Sequence, residues 1–197
     1  KTGGSSIRRI FKRNPQLGDF DCVHHHSFMR FRDGVRVERR QLIASRLIHY
    51  DVAILMVRHP LDRLLSCYQY FISGGLNQWK KGSFPADLEN QAFLFESAPT
   101  LLECSRNLAE IAEKIPHFQP ACHWLDAFPN PVADLVFTGR QERFETDVRS
   151  IFELLGVSGN SSLSTRHNSS PVVSKDLWNF ESKRLVSQFY RADFQRF

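Results

Sequence analysis

Apolar residues recur along this chain with two different rhythms. From Asp51 to Val57 and again from Ala133 to Phe137 they run almost without a break, as in a strand buried on both faces. Elsewhere they return every three or four residues, the spacing of an amphipathic helix. Ile7, Ile10 and Phe11 begin such a series, and Leu42, Ile43, Leu47 and Ile48 form another. The cleanest stripe is Leu61, Leu64, Leu65, Tyr68, Phe71 and Ile72, opened by Pro60 and closed by Gly74-Gly75. Leu101, Leu108, Ile111, Ala112 and Ile115 predict a helix that Pro116 ends. Gln141 to Leu155 predicts another, with Phe144, Val148, Ile151, Phe152 and Leu155 inward and Gly156 as its stop. A last helix is expected from Ser174, its N-cap, with Trp178, Ser182, Leu185 and Phe189 on one face.

The segments between are less regular. Phe20 to Phe28 reads as a short strand or strand end, and Arg30 to Arg40 as a basic stretch turning at Gly34. Asn77 to Pro99, rich in Phe, Gly and Pro, reads as a long irregular loop, which in a compact domain is usually functional or mobile. His117 to Pro131 has room for one short helix, and Gly159 to Pro171 is a polar loop. Buried strands alternating with amphipathic helices predict an α/β fold with a central parallel sheet. No internal repeat is evident.

The first thirteen residues hold the first candidate chemistry. Gly3 and Gly4 permit a tight turn, and Ser5 and Ser6 are good helix caps before Ile7. A loop opening onto a helix N-terminus offers unpaired N–H groups to an anion, and the hydroxyls of Thr2, Ser5 and Ser6 add donors. A Walker A loop is excluded, because its lysine stands at the far end, whereas Lys1 stands first. A phosphate loop normally hangs from a buried strand, so a strand is expected upstream of Lys1.

Composition narrows the picture only slightly. The 197 residues suggest one domain, 1–197, and 42% hydrophobic content with 17 Phe is ample for a sizeable core. Lys+Arg 26 against Asp+Glu 21 gives +5, compatible with anionic ligands but equally with no special partner. The cysteines at 22, 67, 104 and 122 form no CxxC pair, which argues against zinc and favours free core thiols over two disulfides. No apolar run reaches membrane-spanning length, so membrane contact is not evident, and no signal peptide is visible.

The second candidate is Val57-Arg58-His59-Pro60 and the helix after it. Arg58 lies at the end of a parallel strand, the edge at which α/β folds bind ligands, and its guanidinium suits a phosphate. Ser66 lies two turns into the helix and could reach the same anion. Together with Lys1-Thr2-Gly3-Gly4-Ser5-Ser6, this segment resembles sulfotransferases that use PAPS (3′-phosphoadenosine 5′-phosphosulfate). The resemblance is to the carbohydrate type, similar to heparan sulfate 2-O-sulfotransferase and sulfotransferase family 2. It spans nearly the whole chain and implies a P-loop-NTPase-like fold. It further implies that the Lys1–Ser6 loop holds the 5′-phosphosulfate, while Arg58 and Ser66 hold the 3′-phosphate. His59 departs from the family, which often has an acidic residue or Asn there.

The same resemblance bears on Val23-His24-His25-His26-Ser27-Phe28. A histidine run suggests a metal, but no Asp, Glu or Cys partner stands at ligand spacing, and no metal is expected. In a strand, His25 points opposite to His24 and His26. The related enzymes have a His-rich segment here with one catalytic base, which aligns with His25; His24 and His26 remain alternatives. Lys1 would stabilise charge on the departing 5′-phosphate. His117-Phe118-Gln119-Pro120 resembles a segment near the acceptor, the stretch from Val136 to Glu145 resembles a strand followed by a Glu-containing helix, and Arg166 or Ser169 could touch the cofactor from a loop.

The implied activity is sulfuryl transfer from PAPS to a hydroxyl, on a glycan, leaving PAP (3′-phosphoadenosine 5′-phosphate). Two rivals are a P-loop kinase for a small molecule and a basic polyanion-binding module built on the arginines at 30, 32, 36, 39 and 40. The first lacks a metal carboxylate at a strand end, since Asp134 starts its strand. Basic runs like the second are more often a solvated face or an acceptor rim, and no nucleic acid is expected. The compartment reads as cytoplasmic of a bacterial type, against a Golgi luminal domain without its anchor; oligomeric state and acceptor are not readable.

Overall fold

Two apolar runs become paired strands, and helices take up most of the remaining described residues. The computed structural model describes residues 10, 13, 29–32, 35–38, 50–78, 84–126, 133–156 and 177–197. After the helical residues Ile10 and Arg13, the strands β1 (Met29–Arg32), β2 (Val35–Glu38) and β3 (Tyr50–Val57) follow in chain order. Five helices follow: α1 (Pro60–Ile72), α2 (Pro85–Ser97), α3 (Leu101–Arg106), α4 (Leu108–Lys114) and α5 (Ala121–Asp126). Strand β4 (Ala133–Arg140) leads to α6 (Phe144–Leu154), and α7 (Phe180–Phe189) and α8 (Arg191–Arg196) end the chain. These elements fall into two compact units, one holding β1 to β4 with α6, the other α1 to α4 with α7 and α8; the division falls within α5, between Cys122 and His123.

In the sheet unit, β3 and β4 pair in parallel, from Tyr50 opposite Ala133 to Val57 opposite Arg140. This is the α/β arrangement that the two apolar runs predict, with β4 continuing three residues past Phe137. Gly139 stands opposite Met56, and a β-carbon there would lie 2.6 Å from the Met56 sulfur. The missing side chain thus lets the strands close up just before their ends. Met56 packs with Phe144, Val148, Ile151 and Phe152 of α6 and with Ile10. Ile10 is helical and buried while Arg13 is helical and exposed, as the period of the first helix predicts. Burial of β4 on both faces is not found over its described side chains, residues 136–140: Val136 and Thr138 are exposed, Phe137 is half-buried and Gly139 buried. The basic stretch forms an antiparallel hairpin, with Arg30 opposite Val37 and Arg32 opposite Val35. Asp33 and Gly34, a pair suited to tight hairpin turns, stand between its strands in the sequence and lie outside the described residues.

In the helical unit, α1 buries Leu64, Leu65, Tyr68 and Phe71 among Leu94, Leu101, Cys104, Leu108, Ile111 and Ile115. Pro60 opens α1, and Gly74 and Gly75 end it with positive φ. A β-carbon on Gly75 would strike the Asp87 carboxylate, which accepts from Leu76 N at 2.7 Å and from the Tyr70 hydroxyl at 3.0 Å. Cys67, Cys104 and Cys122 are buried thiols that form no disulfide.

Three further expectations are corrected. The segment from Asn77 to Pro99 holds a 13-residue helix, α2, opened by Pro85. Its apolar residues form no single stripe: Leu94 is buried, but Leu88 and Phe95 are exposed. The last helix begins at Phe180, capped by the Asn179 side chain accepting from Ser182 N at 2.7 Å. Its buried face carries Ser182 and Val186. The expected cap, Ser174, lies outside the described residues. The helix expected from Leu101 to Ile115 is also two, meeting at Asn107.

Candidate active site

Strand β3 is long and apolar, so it runs through the sheet unit and delivers its next residue, Arg58, to the carboxyl edge of the sheet. Parallel pairing brings β4 to the same edge, with Arg140 opposite Val57. Arg58 is half-buried and Arg140 exposed. The Arg140 N–H donates to Asp147 Oδ2 at 2.5 Å, and the Arg143 guanidinium lies 3.7 Å from Asp147 Oδ1. Asp147 is itself buried on α6. One carboxylate therefore ties the end of β4 to the helix that follows. Arg140 is a cation that periodicity alone misses; its signal was a strand-end position level with Val57.

After Arg58 the chain turns into α1. His59 occupies the N-cap position, and its side chain makes no cap hydrogen bond. Pro60 has no N–H to satisfy, but the Leu61 and Asp62 amides also belong to the first turn, where helices leave donors open. Ser66 is half-buried on the same helix. Along the sequence a guanidinium, helix-terminal amides and a hydroxyl follow one another within nine residues; Arg58 belongs to the sheet unit, Ser66 and the amides to the helical one.

Of the catalytic and cofactor-binding residues expected from the sequence, Arg58 and Ser66 are the two that the structure describes. Lys1, Thr2, Gly3, Gly4, Ser5, Ser6, His24, His25, His26, Arg166 and Ser169 lie outside the described residues. His117 is half-buried, its ring edge-on to Phe71 at 4.9 Å. Three successive carbonyls in its segment are held by side chains: His117 O by the Cys67 thiol at 3.6 Å, Phe118 O by the Tyr190 hydroxyl at 2.7 Å, and Gln119 O by Arg63 Nη1 at 2.7 Å. Glu142 is exposed. Among the described residues, no group of three or more His, Cys, Asp or Glu could hold a metal ion, and no helix is long and apolar enough to cross a membrane.

Comparison with curated proteins and with solved structures gives no significant match. A family model described as the sulfotransferase family matches residues 1–197, the whole sequence. The strand-end arginine and the proline-opened helix lie within that match, and the chain belongs to the sulfotransferase family, enzymes that move a sulfuryl group from a donor to an acceptor.

Proposed function

We propose that the donor is PAPS, that the acceptor is a hydroxyl on a carbohydrate, and that the whole chain acts as one sulfotransferase domain. The observation that carries this reading is Arg58, at the carboxyl end of a parallel strand and directly before a helix that bears Ser66. Those donors fit a 3′-phosphate, and the Lys1–Ser6 loop is the natural partner for the 5′-phosphosulfate. When bound, PAPS supplies the activated sulfuryl group. Around it, the Gly3–Ser6 amides and hydroxyls orient the 5′ end, and Lys1 stabilises the negative charge that develops on the leaving phosphate oxygen. His25 takes the proton of the acceptor hydroxyl, and Arg166 or Ser169 contacts a phosphate of the cofactor. Positioning and charge stabilisation, rather than covalent chemistry, then set the rate.

Titration calorimetry with PAP and AMP tests the reading. PAP should bind tighter, and Arg58→Ala should weaken PAP by about tenfold or more while AMP is unchanged, the usual scale for a lost charged hydrogen bond. Equal affinity for the two nucleotides in the unmutated protein would refute the 3′-phosphate site.

A further inference from the structure

The C-terminal helix α8 grips the opening of α1 at two points. Arg63, in the first turns of α1, is 6% exposed, and Asp193 of α8 is 2% exposed. Their charges meet at 3.2 Å. Asp193 uses both oxygens: Oδ2 also accepts from Ala121 N at 2.7 Å, and Oδ1 accepts from Cys122 N at 2.9 Å. Arg63 in turn holds Gln119 O, and its guanidinium carbon lies 4.7 Å from the centre of the Tyr190 ring. Next to Asp193, Phe194 sets its ring edge-on to His59, with centroids 5.3 Å apart.

Buried ion pairs are a poor source of net stability, because desolvation offsets most of the attraction. What such a pair does supply is a fixed geometry, since each partner tolerates only one arrangement. The Phe194–His59 contact is at the surface and adds little to stability, yet it falls on the residue that follows Arg58. Two different kinds of contact, from adjacent residues of one short helix, therefore meet α1 at His59 and at Arg63, three residues before Ser66.

We infer that α8 is a positioning element for the 3′-phosphate corner, acting through Asp193 on Arg63 and through Phe194 on His59. This rests on the assignment of Arg58 and Ser66 to the 3′-phosphate. Neither Asp193 nor Phe194 touches the nucleotide; they fix the direction in which the first turns of α1 present their donors. The readout is the preference for PAP over AMP, which a general loss of stability would not alter.

Phe194→Ala, at an exposed position, should lower that preference about threefold, the scale of one aromatic pair, with AMP affinity unchanged. Phe194→Tyr should restore it. Asp193→Asn, where it folds, should lower the preference further. An unchanged preference in Phe194→Ala, or an equal loss for both nucleotides, overturns the inference. Arg58→Ala is measured alongside. If it abolishes the preference while Phe194→Ala does nothing, the inference alone fails. If Arg58→Ala leaves the preference intact, the 3′-phosphate site fails and the inference with it.

Discussion

At the scale of single residues, the reaction asks for one proton acceptor and several fixed cations. His25→Ala should keep PAP affinity within twofold and lose about 10²–10⁴ of turnover, the contribution typical of a general base. The same substitution at His24 and at His26 should be mild. A larger loss at either of these would move the base there, and unchanged turnover at all three would remove histidine from the reaction. Arg58 was legible because a cation directly after an apolar run marks a strand end. Arg63 was not. It sits in a helix with apolar neighbours and reads as solvated, and its partner Asp193 is 130 positions away. Only the folded chain shows that its charge is buried and matched.

At the scale of elements, legibility followed the punctuation. Helix α1 has Pro60 before it, two glycines after it and a clear stripe between, and α6 has a similar stripe ended by Gly156. Helix α2 has Pro85 at its start but no stripe, because it covers α1 with few residues and leaves Leu88 and Phe95 to solvent. Its apolar content therefore resembles that of a loop. Helix α7 was expected too early, because Ser174 and Asn179 are both good caps and local sequence does not choose between them. The choice is testable. Asn179→Ala should cost about 1 kcal/mol, the usual loss for a helix cap, read from the urea midpoint of the full chain. An unchanged midpoint would show that the Asn179 side chain does not hold this helix end. Thr100 caps α3 in the same way, with the Glu103 side chain reaching back to the Thr100 N–H.

At the scale of the whole molecule, the helical core is closed by neutral groups that resist ionisation. Burial, followed by the neighbouring Cys67, pushes the Cys104 thiol up to about 12. Burial, then Cys104 and Glu103, does the same to the Tyr68 hydroxyl, which donates to Ala98 O and Pro99 O. In the unfolded chain these groups lose their protons from about pH 9 and about pH 10. Above pH 9 the unfolded state therefore binds fewer protons than the folded one, and stability falls as pH rises towards 12. The urea midpoint should be level from pH 7 to 8.5 and drop clearly by pH 10.5, with a shallower drop in Cys104→Ala. A level midpoint through pH 10.5 would contradict this account of the core. The same core has a consequence for biosynthesis. Val186, Tyr190 and Asp193 complete it from the far end of the sequence, so α1 emerges from the ribosome with its buried cation still lacking a counter-charge. A nascent chain halted before α7 should remain a chaperone substrate however long it waits, because the residues that complete the core have not been made.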